Sequence, residues 1–411
     1  MKIVASALSD RGLLRDGNED QYLIDESLGL YMVCDGMGGH VAGEVAAERA
    51  IEFASEHISA HSEVLESAAG QPDRYVRIQQ IAEEAVQTAS QEVHQLSRSS
   101  PKYAGMGTTL TMLVIVDDKA IIAHVGDSRM YLMRGGEIHQ LTVDHTLANE
   151  MFLCGGLTKE EAATSRYQHV LTRSIGPHQF VTVDTLLFDL IPGDRLLLCS
   201  DGLSNYFADE SVIAELLAQK EITGQPQQLI EFAKEAGGAD NITAVVVDTL
   251  LDSDAESEPD ADERMEALRN SFLGRGLSVR RLLYLITTST VIHCNAGKEF
   301  LEMGDRCPGM FIVLEGSFRF TDDDSFESKL VKGDCFGQGN LILPAKSHAR
   351  LIANEPSRML LIDREKFNRL TKRIPRLGNA LLRNLSQHLS KAMVASTDFS
   401  PGRRKDLGTS S

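Results

Sequence analysis

Aspartates stand at the ends of apolar segments at four points along the chain. The segments read MVCDG, HVGDS, LLLCSDG and GADNITAVVV, and their aspartates are Asp35, Asp127, Asp201 and Asp240. Aspartate is disfavoured in strands, and a buried carboxylate without a partner is costly. Any one of them could cap a helix or shape a turn. Four such residues in one domain are harder to explain in that way.

If these carboxylates converge, their mutual repulsion requires a positive counter-charge. Oxygen ligands without histidine or cysteine favour Mg²⁺ or Mn²⁺ over zinc. Gly36 and Gly202 directly follow two of the aspartates, and a residue without a side chain lets a carbonyl or a water approach closely. The segment RDGNEDQY adds Arg15, Glu19 and Asp20 near the first strand. The pattern therefore predicts a site for divalent cations at the strand ends.

The elements that must position these residues are a mixture of helices and strands. Apolar spacing predicts a helix over residues 40–58 and a second from Asp73 to Leu96. Two hairpins follow, TTLTMLVIV-DD-KAIIAHV and SRMYLMR-GG-EIHQLT, and then two buried strands, DRLLLCSDG and NITAVVVDTL. Consecutive hairpins form antiparallel sheet, so an α+β domain is expected rather than a doubly wound dinucleotide fold.

Composition excludes several classes of protein. A chain of 411 residues is long enough for two or three domains. Its net charge of −18 disfavours nucleic acid and anionic membranes as partners. No apolar run approaches the roughly 20 residues that span a bilayer. The six cysteines contain no CxxC pair, which argues against a zinc site and a disulfide framework. A cytoplasmic protein with neither nucleic-acid nor membrane partners is expected.

The sharpest change in composition is an acidic stretch, residues 251–270, interpreted as a solvated linker. The predicted domains are residues 1–250 and 271–395, followed by a disordered tail over residues 396–411. The second domain begins with a helix near Leu282, and short strands with glycine turns predict a small β-barrel or jelly roll. A single helix from about Arg364 to Met393 is expected to complete it.

Seven segments of the first domain carry a family resemblance. They are RDGNEDQY, MVCDGMGGHVAGEVAA, GMGTTLTMLVI, AHVGDSRMYLMRGGEIHQLTVDHTL, LTRSIG, LLLCSDGLSNY and GADNITAVVV. In this order they resemble the metal-dependent serine/threonine protein phosphatases of type 2C, in their bacterial form. The resemblance implies an α-β-β-α fold, in which two antiparallel sheets are sandwiched between helices. It also implies a two-metal centre in a cleft at one end of the sheets.

The resemblance assigns the ligands of the first metal residue by residue. Asp35 would bridge two Mn²⁺ or Mg²⁺ ions, and the carbonyl of Gly36 would contact one of them. Asp201 and Asp240 would complete the coordination of the first ion.

The same resemblance gives roles to the remaining site residues. Glu19 would hold the second ion through water with Asp20 in support, and Asp127 would help to bind a weaker third ion. Arg15 would grip the substrate phosphate with its planar guanidinium. The implied reaction is hydrolysis of phosphoserine or phosphothreonine in proteins by a metal-bridged hydroxide. The implied substrates are proteins that a serine/threonine kinase has phosphorylated.

The proton donor to the leaving group is left open. Met37 stands where many eukaryotic members of the family have a histidine, and His40 lies nearby. We expect His40 to be structural and a metal-bound water to donate the proton, and we give His145 no catalytic role. Residues 146–180 resemble the mobile flap beside the family's active site, although an ordinary helical insertion would also fit.

The second domain resembles a cyclic-nucleotide-binding domain over about residues 280–395. The segments that carry this resemblance are CNAGKEFLEMGDRCPGMFIVLEGSFRF and LVKGDCFGQGNLILPAKSHARLIA. Binding members have a glutamate after FG, where this chain has Gln338 after Gly337, and an arginine where it has Ser347. Arg350 should face the other side of its strand. A phosphate without its cation loses roughly 2–5 kcal/mol of binding.

We therefore expect a degenerate sensor, a dimerisation module or a site for another ligand, rather than a cAMP or cGMP receptor. Gly337, Gln338 and Ser347 mark the place where a ligand would bind. The favoured interpretation of the whole chain is a signalling phosphatase regulated by this module. The alternatives are a non-catalytic phosphoprotein-binding adaptor and a cyclic-nucleotide-gated phosphatase. No metal ligand is missing, which favours the enzyme.

Overall fold

The computed structural model describes residues 1–38, 41–67, 73–207, 209–218, 222–250, 260–321, 327–347 and 349–397. The chain forms two compact units, Met1–Ser257 and Glu258–Ser411. His40 lies outside the described residues, so the prediction that it is structural stays a prediction. No helix in the described ranges is long and apolar enough to cross a bilayer.

The first unit is built on two antiparallel sheets. Its strands are β1 (Lys2–Asp10), β2 (Asp20–Asp25), β3 (Leu30–Met37), β4 (Gly107–Thr108), β5 (Leu110–Val116), β6 (Lys119–Val125), β7 (Arg129–Arg134), β8 (Glu137–Gln140), β9 (Asp184–Asp189), β10 (Arg195–Cys199) and β11 (Ile242–Leu250). One sheet has the order β2-β3-β5-β6-β9 with β4 paired to β3, and the other has the order β1-β11-β10-β7-β8. The predicted hairpins are β5–β6 and β7–β8.

Helices cover the outer face of each sheet. They are α1 (Val41–Ser59), α2 (Ser62–Glu66), α3 (Arg74–Ser99), α4 (Leu147–Leu153), α5 (Lys159–Ala163), α6 (Asp201–Ser204), α7 (Glu210–Leu217) and α8 (Gln225–Glu235). The pair α1 and α3 packs on the six-stranded sheet, while α7 and α8 pack on the five-stranded sheet. Strands β1 and β11 contact β2 across the interior. The α-β-β-α architecture is therefore confirmed.

Strand β3 shows why the strands read as continuous apolar runs. Leu30, Met32 and Cys34 join the core beneath α1 and α3. Tyr31 and Val33 alternate with them and are equally buried. A strand covered on both faces has no solvent side to mark with polar residues. The first polar side chain on this strand is Asp35, where the strand leaves the sandwich.

The second unit is a β-roll flanked by helices. Its strands are β12 (Ser289–Cys294), β13 (Glu299–Leu301), β14 (Gly309–Glu315), β15 (Ser317–Thr321), β16 (Glu327–Val331), β17 (Cys335–Phe336), β18 (Arg350–Ala353) and β19 (Ser357–Asp363). They form two antiparallel sheets, β12-β19-β14-β17 and β13-β18-β15-β16, which enclose Phe311, Phe318 and Met359. The predicted β-rich C-terminal domain is thus confirmed.

The helices of the second unit correct three expectations. They are α9 (Asp260–Asn270), α10 (Val279–Ile286), α11 (Arg364–Arg373) and α12 (Pro375–Thr397). Helix α9 occupies the second half of the predicted linker, because Met265 and Leu268 share one helical face and are buried.

The single helix expected from Arg364 to Met393 is wrong, since it is interrupted between α11 and α12. Pro375 cannot donate the hydrogen bond of a helix interior, and it disfavours helical geometry at Ile374. Helix α12 extends to Thr397, so the first two residues of the predicted tail are helical. The remaining tail residues, 398–411, lie outside the described part of the chain.

Candidate active site

The predicted carboxylates meet at one end of the sandwich. Asp35, at the end of β3, interacts electrostatically with Asp20, Asp201, Asp127 and Asp240. Desolvation, followed by repulsion from these four groups, raises the pKa of Asp35 well above its ordinary value. The structure thus brings together five acidic residues that lie up to 220 positions apart in the sequence, counting from Asp20 to Asp240.

The backbone of Asp35 is held firmly by the neighbouring strand. Its amide donates to Thr109 Oγ1 at 2.9 Å, and its carbonyl accepts from the Thr109 amide at 2.9 Å. Thr108 Oγ1 donates to the same carbonyl at 2.9 Å. These bonds fix the direction in which the Asp35 carboxylate leaves the strand.

Gly36 is required for packing as well as for access. A Cβ atom built on Gly36 would lie 2.2 Å from the carbonyl oxygen of Gly43 in α1. It would also lie 2.6 Å from the carbonyl oxygen of Glu19, which accepts a hydrogen bond from the Gly36 amide at 3.2 Å. The glycine therefore lets α1 and the Glu19 segment approach the end of β3.

Asp20 stands opposite Asp35 in the β2–β3 register. Its Oδ2 accepts hydrogen bonds from Ser200 Oγ and Thr243 Oγ1, each at 2.7 Å. Its Oδ1 is buried without a hydrogen-bond partner among the described residues. Desolvation raises the pKa of Asp20 to about 7, and the charges of Asp201 and Asp240 add to this rise. A buried carboxylate oxygen without a hydrogen-bond partner is a candidate ligand for a cation.

Asp201 and Asp240 approach the cluster from the other sheet. Asp201 is the first residue of α6 and accepts from Asn205 Nδ2 at 3.2 Å. Asp240 precedes β11, and its Oδ1 accepts from the Asn241 amide at 2.8 Å. Its Oδ2 accepts from Arg15 Nη2, also at 2.8 Å. Because the Arg15 side chain is 51% exposed, its guanidinium stands at the edge of the cluster where an anion can reach it.

Asp127 and Glu19 lie at the margins of the cluster. Desolvation, then the charges of Asp201 and Asp144, raises the pKa of Asp127 to about 7. Glu19 Oε2 lies against α1, where a Cβ atom built on Gly43 would be only 1.8 Å away. Every residue predicted for the metal site is therefore placed at or beside the same end of the sandwich.

Sequence reasoning missed Asn241, which braces the loop that carries Arg15. Its Oδ1 accepts from the Glu19 amide at 2.9 Å. Its Nδ2 donates to the carbonyls of Arg11 and Gly17, at 3.0 and 2.9 Å. The sequence shows only an asparagine between Asp240 and an apolar strand, and the burial of its side chain is visible only in the fold.

Two histidines of the site differ in role. His169, in the segment 146–180, places Nδ1 3.5 Å from Asp201 Oδ2, and its hydrogen bond with Asp201 raises its pKa. Nothing in the local sequence predicted this contact. His145 is buried, and its Nδ1 accepts from the Gly126 amide at 3.1 Å while its own amide donates to the Gly126 carbonyl at 2.8 Å. His145 thus holds the residue that precedes Asp127.

The donor set fits hard divalent cations. It offers carboxylate oxygens and no thiolate, it is self-repelling, and it includes the unpartnered oxygen of Asp20. The charges of Asp35 and Asp201 repel one another, and a bound cation would offset this repulsion. No three histidine, cysteine, aspartate or glutamate side chains of the described residues stand ready to hold a metal ion. Binding therefore requires the carboxylates to adjust around the ions.

Of the three residues marked in the second unit, Gln338 and Ser347 use their side chains in local hydrogen bonds. Gln338 Nε2 donates to the Cys335 carbonyl at 2.9 Å, and Ser347 Oγ donates to the Ala349 carbonyl at 2.6 Å. Gly337 has a φ of +74°, and a Cβ there would lie 2.7 Å from the Gly309 carbonyl oxygen. This geometry supplies neither the carboxylate nor the guanidinium that the family uses for a cyclic nucleotide.

Comparison with known proteins gives similarities over both units. Residues 16–232 match the family model of protein phosphatase 2C, and residues 291–373 match that of the cyclic nucleotide-binding domain. The chain is 38% identical over 260 residues to protein phosphatase PhpP of Streptococcus pneumoniae, which covers 61% of this chain and 99% of that protein.

Solved structures of the catalytic unit are similar as well. The serine/threonine phosphatase PstP of Mycobacterium tuberculosis is 34% identical, with a TM-score of 0.54 over 61% of this chain and 99% of that chain. A PstP catalytic domain crystallised with two manganese ions has 34% identity and a TM-score of 0.52, over 61% and 99% of the two chains.

The helix-covered double sheet, together with these similarities, defines a serine/threonine protein phosphatase with an additional C-terminal domain. The chain belongs to the protein phosphatase 2C family, and its C-terminal region matches the cyclic nucleotide-binding domain. The predicted family and enzyme class are confirmed.

Proposed function

We propose that this chain hydrolyses phosphoserine and phosphothreonine in proteins with two divalent cations, Mn²⁺ or Mg²⁺, and a weaker third. The observation that carries the proposal is the cluster around Asp35, in which five carboxylates repel one another beside a half-exposed arginine. The proposed substrates are cytoplasmic phosphoproteins made by a serine/threonine kinase. The two manganese ions in the PstP catalytic domain support the choice of metal.

The chain's own residues divide the work of holding the cations. Asp35, Asp201 and Asp240 with the carbonyl of Gly36 would hold the first ion, and Asp35 would be shared with the second. The residues that would complete the second and third sites are Glu19, Asp20 and Asp127. When bound, such ions supply a water of lowered pKa as the nucleophile and positive charge for the transition state.

Arg15 is proposed to bind the phosphate. Its pairing with Asp240 keeps the guanidinium at the cluster, and desolvation there is outweighed by Asp240, Glu19 and Asp35, which raise its pKa. A planar guanidinium matches two phosphate oxygens, so it orients the phosphorus and stabilises charge on its equatorial oxygens. Asn241 supports this role because it fixes the loop between Arg11 and Glu19.

The test is turnover of p-nitrophenyl phosphate by the full chain, with and without Mn²⁺. Asp35→Asn should remove nearly all Mn²⁺-dependent turnover and weaken Mn²⁺ binding in calorimetry. Asp73→Asn is the matched control, since Asp73 is exposed and its side chain caps no helix. Turnover that is independent of Mn²⁺, or unchanged in Asp35→Asn, would refute the proposal.

We also propose that the second unit regulates the phosphatase without responding to cAMP or cGMP. The local bonds of Gln338 and Ser347 support this view, because neither side chain is positioned as a partner for ribose or phosphate. Millimolar cAMP or cGMP should leave the turnover of a phosphoprotein unchanged. A nucleotide-dependent change in turnover would contradict the second half of this proposal.

A further inference from the structure

A large cavity opens directly beside the carboxylate cluster. Its volume is 1240 Å³, and Asp127, Asp201 and Asp240 line one end of it. Helices α4 and α5 of the segment 146–180 contribute one side, and α6 with the start of α7 contributes another. Sites for small molecules occupy about 300–1,000 Å³. This cavity therefore has space for much more than the phosphate group and one side chain.

The walls of the cavity combine fixed apolar groups with an unsatisfied hydroxyl. Phe152 of α4 is 36% exposed, and Leu153 lies beside it. Phe207 also lines the cavity and makes an edge-on contact with Tyr131, with ring centroids 5.9 Å apart. Ser204 also lines the cavity, is only 2% exposed, and its hydroxyl has no hydrogen-bond partner in the described part of the chain. A buried hydroxyl of this kind is costly unless a ligand completes it.

We propose that this cavity binds the polypeptide that flanks the phosphorylated residue, with an apolar substrate side chain packed on Phe152. Ser204 Oγ then forms a hydrogen bond with the substrate backbone. The inference rests on the proposed function and specifies its substrates: phosphoproteins with an aliphatic or aromatic residue close to the phosphoserine.

Continuity with the cluster identifies the occupant. Asp201 and Asp240 belong both to the carboxylate cluster and to the lining of the cavity, and Asp240 contacts Arg15. A substrate whose phosphoester is bound by Arg15 therefore extends from the carboxylate end into the cavity. A polypeptide satisfies the features together, because its backbone can reach Ser204 while a side chain covers Phe152. A separate small effector or a second copy of this chain would need no such connection.

The experiment compares two phosphoserine peptides and p-nitrophenyl phosphate on the full chain with saturating Mn²⁺. The peptides are identical except that the residues flanking the phosphoserine are leucine in one and glycine in the other. The variants are Phe152→Ala and its matched control Phe180→Ala. Phe180 lies in the same segment, is 66% exposed, and does not line the cavity.

We expect kcat/KM of the wild type to be about tenfold higher for the leucine peptide, the factor that corresponds to about 1.4 kcal/mol. Phe152→Ala should lower that preference to about twofold through KM, and leave turnover of the glycine peptide and of p-nitrophenyl phosphate unchanged. Phe180→Ala should match the wild type. Ser204→Ala should lower kcat/KM for both peptides severalfold and spare p-nitrophenyl phosphate.

Equal kinetics of wild type, Phe152→Ala and Phe180→Ala on both peptides would overturn the inference while leaving the proposed function intact. If Phe152→Ala changes only the oligomeric state of the protein in solution, the cavity binds a second copy of the chain and the inference is also wrong. No Mn²⁺-dependent turnover of p-nitrophenyl phosphate by the wild type would refute the proposed function, and this inference with it.

Discussion

Replacing Gly36 by alanine tests how tightly the end of β3 is packed against α1. The added methyl would meet two backbone oxygens, at 2.2 Å from Gly43 and 2.6 Å from Glu19. Neither is the tip of a flexible side chain, so the backbone itself must move. Because the φ of Gly36 is not in the left-handed region, the contact alone carries the effect.

The magnitude follows from the usual cost of overpacking. Forcing a methylene into a well-packed region costs about 1–3 kcal/mol. For a unit of about 250 residues, each kcal/mol lowers the melting temperature by about 2–4 °C. Gly36→Ala should therefore melt about 2–12 °C below the wild type. Turnover should fall more steeply than stability, because the backbone that must move carries Glu19 and because Gly36 is the residue next to Asp35.

The assay is thermal melting with p-nitrophenyl phosphate turnover, and Gly17→Ala is the control. Gly17 lies in the segment between β1 and β2, and a Cβ atom there meets nothing within 4 Å. Gly17→Ala should melt within about 1 °C of the wild type. If Gly36→Ala also melts with the wild type and keeps full turnover, the packing argument for this glycine is wrong.

Three further predictions concern charge and hydrogen bonding. The pKa values of Asp20 and Asp127 are raised to about 7 from an ordinary 3.8. Between pH 3.8 and about 7 the folded state therefore binds more protons than the unfolded state, and its stability falls as the pH rises. Chelator-treated protein should therefore melt at progressively lower temperature as pH rises from 5 to 8, and a flat or rising profile would contradict this. His145→Ala leaves the buried Gly126 amide without its acceptor, which should cost about 1–3 kcal/mol in urea unfolding; an unchanged midpoint would show that the bond is dispensable. Ser347→Arg places a guanidinium where the family binds the cyclic phosphate, so calorimetry should detect cAMP binding by the variant and none by the wild type. If neither protein releases heat with cAMP, the missing arginine is not what prevents binding.

Much of the site was predictable because its determinants are local. Each of Asp35, Asp127, Asp201 and Asp240 follows or precedes an apolar run, and a carboxylate is seldom placed there without a partner. The sandwich then brings the strand ends together. The alternation of hairpins was enough to predict antiparallel sheets, and the continuous apolar runs reflect strands buried on both faces.

Two features were not predicted from the sequence. One depends on a contact between residues distant in the chain, and the other lies in a segment that was interpreted from its overall composition. His169 reaches Asp201 only because the segment 146–180 folds back over the site, and no local spacing encodes that route. The interpretation of residues 251–270 as linker rested on their acidity. Two apolar residues, Met265 and Leu268, were sufficient to attach α9, which Glu263 secures further through its 2.5 Å ion pair with Arg358.

The framework around the carboxylates explains how a self-repelling cluster is kept in a folded protein. Ser200, as the residue before α6, would ordinarily cap that helix, but its hydroxyl donates to Asp20 and accepts from the Thr243 amide instead. The fold thus gives up a helix cap, typically worth about 1 kcal/mol, to orient one acidic side chain. A ligand that binds only the folded state would offset the loss of this cap. A ligand at 100 times its Kd stabilises by about 2.7 kcal/mol, which exceeds the missing cap. Metal binding and folding stability should therefore be coupled in this phosphatase.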